Sequence, residues 1–278
     1  MIATATVEKR LAVLERAADR LDAKPVQWAS PLDLAADLQL NLDPWQERVL
    51  MTTATRVIVL GPRQIGKSTV SGLLSLFVAL TKPEALVLLI APAQDQSKEL
   101  ARTIRRMAAR AGMATSEKAE QIAPSLLSAS RIEFANGSRV IALPGASEAT
   151  VRGYAKPDVI VVDEASRLKE ETYSAIRPML ATHPTGRLLL LSTPWLKGGT
   201  FYKTWTGTTE WERIRVHTID CPRLTPAYLA NEKAELPTWV YLREYEGIFS
   251  DDDTTLFPAE LIAAAMSDEV RPFFVEAA

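Results

Sequence analysis

The chain has 278 residues, 47% hydrophobic and 24% charged, a balance that supports one large α/β core without staples. A single cysteine, Cys221, excludes an internal disulfide and fits a reducing cytoplasm. The net charge of −2 excludes a surface coated in basic residues, though not a local patch, and no apolar run is long enough to span a bilayer.

Val7, Leu11, Leu14 and Ala18 recur at helical spacing among Lys, Arg and Glu, predicting an amphipathic helix over 6–23 that turns charged too early for a secretory leader. A short helix follows over 31–39, starting at Pro31 after Ser30, and another over 44–54. Arg56–Leu60 is a β-rich run and Ser68–Leu80 a helix. Ala85–Ala91 is continuously apolar, as a strand buried on both faces requires. The helix predicted over 95–111 carries Arg102, Arg105, Arg106 and Arg110, which face solvent or DNA phosphates, with solvent favoured. Two alternating runs over 131–143 meet at Asn136-Gly137 and read as a hairpin. Strands at 159–162 and 187–191 bracket a helix at 170–180. A strand at 212–218, helices at 226–235 and 237–245, an acidic tail after Ser250 and a helix from Pro258 complete the pass. Buried strands alternating with helices predict an α/β fold: a doubly wound, mostly parallel sheet with helices on both faces. The soft boundaries give a helical extension over 1–42, a core domain over 43–250 and a tail over 251–278.

The segment Gly61-Pro62-Arg63-Gln64-Ile65-Gly66-Lys67-Ser68 matches G-x-x-x-x-G-K-[ST] between a predicted strand and a predicted helix, the context that pattern needs. The glycines let the backbone approach phosphate oxygens, the N–H groups point inward and the helix N-terminus adds its positive end. Lys67 is expected to reach the β- and γ-phosphates, Ser68 to bind Mg²⁺, and Thr69 to sit near the α-phosphate. Downstream, the run 158–166 carries Asp163 and Glu164 to a strand end. Asp163 is placed to hold Mg²⁺ and Glu164 to polarise a water against the γ-phosphate, which argues for ATP hydrolysis. No Asn-Lys-x-Asp segment reads guanine. Ser192 and Thr193 end a third strand, where a small polar group either reports the γ-phosphate or simply begins a loop. His183 and His217 lack partners at metal spacing. Lys197-Gly198-Gly199 reads as a flexible surface turn.

From about residue 40 to about 258 these pieces resemble the ATPase domain of the large terminase subunit, the DNA-packaging motor of tailed bacteriophages. The resemblance rests on Arg63 inside the phosphate loop, Gln46 upstream of the first strand, the Ser192-Thr193-Pro194 run, and the aromatic, acidic segment 241–257. It implies a P-loop NTPase of the additional-strand type, with ATP and Mg²⁺ as cofactors and Gln46 contacting adenine. Ser192 and Thr193 would couple hydrolysis to work. Arg152 would act across a ring interface, with Arg63 as a local sensor. It further implies double-stranded DNA, the portal protein and the small terminase subunit as partners. The chain would form a homo-oligomeric ring when assembled and a monomer when isolated, in the cytoplasm of an infected bacterium. Family members continue into a nuclease domain, and 251–278 would be the linker towards it. Consecutive acids at Asp251, Asp252 and Asp253 cannot all face one metal and read as a solvated linker. A helicase-like ATPase and a nucleotide-binding assembly module with little turnover are the alternatives.

Overall fold

The computed structural model describes residues 28–113, 124–145 and 151–250. The helices expected at 6–23 and from Pro258, and the acidic tail, lie outside the described residues. One sheet organises the rest. Its strands are β1 (Arg56–Leu60), β2 (Leu86–Ala91), β3 (Pro124–Leu127), β4 (Arg131–Phe134), β5 (Arg139–Pro144), β6 (Val159–Asp163), β7 (Arg187–Ser192) and β8 (Glu212–Arg215), in the order β3-β4-β5-β2-β6-β7-β1-β8. From β5 to β8 every neighbouring pair is parallel; β4 runs antiparallel to both β5 and β3 at one edge. The mostly parallel sheet expected from the apolar runs is therefore present. The additional strand is β7, inserted between β1 and β6.

Because successive side chains on a strand point to opposite faces, each central strand feeds two cores. Val57, Val59, Val159, Val161, Leu189 and Leu191 pack on one face against helices α1 (Pro31–Asp37), α2 (Pro44–Met51), α3 (Lys67–Thr81) and α4 (Gln94–Met113). Ile58, Leu60, Ile160, Val162, Leu188 and Leu190 pack on the other, against α5 (Glu170–Ile176), the 3₁₀ turn Arg177–Leu180 and α6 (Gly199–Thr206). Trp28, Leu34, Ala35 and Leu38 belong to the first core, so the boundary expected near residue 42 does not divide two cores: 28–42 is built into the sheet domain.

Several element ends differ from the sequence reading for local reasons. Helix α2 stops at Met51 because Thr52 turns extended and its hydroxyl bonds Glu212. Helix α5 gives way to a 3₁₀ turn where Pro178 removes a backbone donor. Strand β8 ends at Arg215 rather than Thr218, and a 3₁₀ turn, Thr218–Asp220, takes over. The hairpin is present, and its turn is locked to a neighbouring helix: Asn136 Nδ2 donates to the Ala79 carbonyl at 2.8 Å while its Oδ1 accepts from Ser138 N at 3.1 Å. That side chain satisfies a carbonyl in the last turn of α3, which no intrahelical donor reaches. Strand β3 and helix α6 carry no clear periodic signal. The latter is held by Phe201, which is buried in the second core.

Candidate phosphate-binding site

The turn between β1 and α3 has little freedom. A Cβ on Gly61 would lie 2.6 Å from Ile65 Cδ1 and 2.9 Å from Val216 Cβ, so only glycine fits. Gly66 takes φ +90°, and a Cβ there would sit 2.6 Å from Gln46 Nε2. Pro62 and Ile65 are buried beneath the turn, whereas Arg63, Gln64 and Ser68 are exposed and Thr69 is half-buried. The first turn of α3, a helix of 15 residues, opens into a pocket of about 580 Å³. Lys67 lies inside it, 8% exposed, its Nζ donating to the Pro62 carbonyl at 2.7 Å. Burial pushes its ammonium down, and the Glu164 and Asp163 carboxylates push it back up.

Those acids face the loop because β6 delivers them there; Asp163 pairs with Leu191 in the register of β7. Burial, reinforced by the neighbouring Glu164 charge, raises the Asp163 carboxyl from its ordinary 3.8 to about 6, with Lys67 acting against the rise. Glu164 takes a left-handed backbone conformation at φ 50°, which costs a non-glycine residue about 1–3 kcal/mol. The turn is held on both sides. Glu164 N donates to Asp163 Oδ1 at 3.1 Å, and Thr193 Oγ1 donates to Glu164 Oε2 at 3.3 Å. Ser192 Oγ accepts from Ser166 N at 3.1 Å and donates to Ser166 Oγ at 2.8 Å. Ser192 and Thr193, whose role the strand exit alone left open, thus pin the acidic turn to the end of β7.

The pocket wall combines Gly66, Lys67, Ser68 and Thr69 with Asp163 and Glu164, and Arg63 and Gln64 stand at it as well. Gln46 does not present a free amide to a base. It is 2% exposed, its Nε2 donates to the Gly66 carbonyl at 3.2 Å and its Oε1 accepts from Asp43 N at 2.9 Å. As the third residue of α2 it closes a capping box with Asp43 and braces the phosphate loop. Arg63 is ion-paired to Glu244, and its backbone N–H donates to the Glu244 carbonyl at 2.9 Å. Arg152 lines a different pocket, with Tyr154, Lys156 and Pro178. Arg105 and Arg110 donate to the carbonyls of Ser128 and Leu38, so two guanidinium groups on the basic face of α4 already have partners within the chain.

Sequence reasoning missed Gln96, Arg167 and Arg223 on the pocket wall, and Asp43 behind it. The Asp43 carboxylate takes a bidentate pair from Arg223, which also donates from Nη2 to the Ile65 carbonyl at 3.1 Å. Asp43 before Pro44 was legible as a helix cap; nothing near Arg223 in the sequence signals its partner. Among the described residues no group of three or more His, Cys, Asp or Glu is arranged to hold a metal, and no helix is long and apolar enough to cross a membrane. Among the oxygen donors on the pocket wall are the Ser68 and Thr69 hydroxyls and the Asp163 and Glu164 carboxylates, hard ligands of the kind that Mg²⁺ takes. A raised carboxyl beside a second acid is the kind of group that a cation relieves.

The family model described as terminase large subunit, T4likevirus-type, N-terminal, matches residues 58–264. Among solved structures, the large terminase ATPase domain of Thermus phage P74-26 is similar at 19% identity and a TM-score of 0.64, over 78% of this chain and 97% of that one. The large terminase of a second thermophilic bacteriophage, in complex with ADP, is similar at 13% identity and a TM-score of 0.61, over 75% of this chain and 54% of that one. The HK97 bacteriophage large terminase follows at 12% identity and a TM-score of 0.60, over 76% of this chain and 51% of that one. At these identities the likeness shows the fold, and the chain spans about half the length of the latter two proteins. No curated protein matches the sequence.

Proposed function

The chain belongs to the terminase large subunit family, and on that basis we propose that it is a DNA-packaging ATPase, hydrolysing ATP with Mg²⁺ to drive double-stranded DNA into a procapsid. The observation that carries the reading is the meeting of Lys67 with Asp163 and Glu164 in one pocket, with Thr193 bonded to Glu164. Adenine nucleotides are supported by the thermophilic bacteriophage large terminase solved with ADP and with ATP-gamma-S.

In this reading Lys67 exchanges the Pro62 carbonyl for phosphate oxygens, joined by the loop N–H groups and the start of α3. Ser68 and Asp163 would hold Mg²⁺, which would supply positive charge against the triphosphate when bound. Glu164 takes the proton of the attacking water, and Thr193 holds its carboxylate for that task. Arg152 serves the neighbour's nucleotide across a ring interface; its position in a separate pocket supports this. Arg63, at the loop and tied to Glu244, senses its own site. The ring, the portal protein and the small terminase subunit enter as the assembly in which such a motor works.

Steady-state ATP hydrolysis against protein concentration tests the proposal, using wild type, Glu164→Ala, Arg152→Ala and mixtures of the two variants. Wild-type specific activity should rise with concentration, each variant should be inactive alone, and mixing should restore part of the activity. Activity in Glu164→Ala equal to wild type would sink the hydrolytic assignment. Flat specific activity with no restoration on mixing would sink the shared site.

A further inference from the structure

The turn that carries Glu164 also carries a cation to the pocket. Residues Ala165–Arg167 form a single 3₁₀ turn, and Arg167 N donates to the Glu164 carbonyl at 3.0 Å. Arg167 is exposed at the pocket wall, on the turn that follows Glu164. Arg223 also lines the pocket, but its guanidinium is tied to the Asp43 carboxylate and the Ile65 carbonyl. Among the described residues the Arg167 guanidinium has no ion-pair partner, although Asp163 and Glu164 line the same pocket. What it does touch is an aromatic face: its Cζ lies 3.8 Å from the centroid of Trp195.

Trp195 is itself immobilised from elsewhere. Helix α8 (Thr238–Glu244), which follows α7 (Pro226–Glu235), sets Arg243 at 4.3 Å from the same ring and 4.9 Å from Trp239. The Arg243 side chain is 11% exposed and its Nε donates to Glu244 Oε1 at 3.0 Å. The Trp195 carbonyl accepts from Ser250 N at 3.1 Å. One guanidinium on this tryptophan is buried and ion-paired; the other is exposed and uses the ring as a platform. Stacking keeps a guanidinium flat and leaves its N–H edge free to donate.

We propose that Arg167 is a cation in cis that recognises the γ-phosphate, held over the pocket by the positioning residue Trp195, and that it sets the preference for a nucleoside triphosphate over the diphosphate. This rests on the nucleotide reading of the pocket. A planar fork aimed at a terminal phosphate gains charge-assisted hydrogen bonds that the diphosphate cannot offer. Such bonds are roughly twice as strong as neutral ones, so their loss costs about tenfold in affinity.

The test is isothermal titration of the full chain with Mg²⁺ and either ADP or adenosine 5′-(β,γ-imido)triphosphate. Arg167→Ala should lower affinity for the imidotriphosphate by about tenfold and leave ADP within about twofold. Trp195→Leu should act in the same direction, and Trp195→Phe, which keeps a stacking face, should restore the wild-type ratio. A merely structural role would move both nucleotides together. Equal losses for both, or no change in Arg167→Ala, would overturn the proposal while leaving the ATPase reading intact. A wild-type chain that bound neither nucleotide would remove that reading and this inference with it.

Discussion

Asp163 offers a test in which stability and function move in opposite directions. Its carboxyl is raised from 3.8 to about 6 by burial and by the adjacent Glu164. The native fold therefore penalises the charged form, by about 3 kcal/mol if the whole shift is converted. The residue is half-buried and opens onto the pocket, so about 1–3 kcal/mol is the expected range. The sign follows from the folded value lying above the unfolded one. The stabilising contribution of the group is complete below about pH 4 and lost as pH rises through about 6. Asp163→Asn keeps the Oδ1 acceptor for Glu164 N and removes the charge. In chelator, to exclude cations, the variant should be about 1–3 kcal/mol more stable than wild type at pH 8, with the gap closing between about pH 6 and 4. For a domain of this size each kcal/mol corresponds to about 2–4 °C in Tm. Denaturant unfolding across that pH range measures the gap, and steady-state hydrolysis at pH 8 should fall to background in the same protein. A gap that does not vary with pH, or a variant less stable than wild type at pH 8, would refute the reasoning that this carboxylate is an unrelieved charge held for a cation.

The same network makes three further claims. Thr193→Val removes the 3.3 Å bond to Glu164 and should lower kcat by about tenfold with KM and Tm unchanged, as steady-state kinetics and a thermal melt will show. Gly66→Ala meets Gln46 Nε2 at 2.6 Å and a left-handed backbone, so the loop must open; calorimetry should find nucleotide affinity lost and stability reduced by about 1–2 kcal/mol. Asp43→Ala frees Arg223, which is half-exposed, and deletes the cap of α2; denaturant unfolding should show a loss of about 1–2 kcal/mol, and KM for ATP should rise as the Ile65 carbonyl loses its donor.

Whatever is written in contiguous residues was legible without coordinates. The β-rich run at 56–60 and the apolar runs at 85–91, 159–162 and 187–191 read as strands, the last three as buried ones, and the structure has strands at 56–60, 86–91, 159–163 and 187–192. The loop from Gly61 to Ser68 and the acids at 163 and 164 were readable because each is a short motif whose backbone geometry is local. Their meeting was foreseeable, since a phosphate loop and an acid-bearing strand end share one edge of a parallel sheet. Which side chains complete the pocket was settled by the way the chain folds back on itself. Arg223 reaches Asp43 across 180 residues, Glu244 reaches back to Arg63, and Arg167 finds Trp195 only because β7 is inserted between β1 and β6. Folding also settled that Gln46 braces the Gly66 carbonyl, because α2 packs beside the loop and the side chain has two local partners there. A periodic pattern or a motif reports what a residue owes to its neighbours in the chain. An ion pair or a stacked ring depends on chain segments that the sheet order brings together, and no local pattern of residues encodes that order.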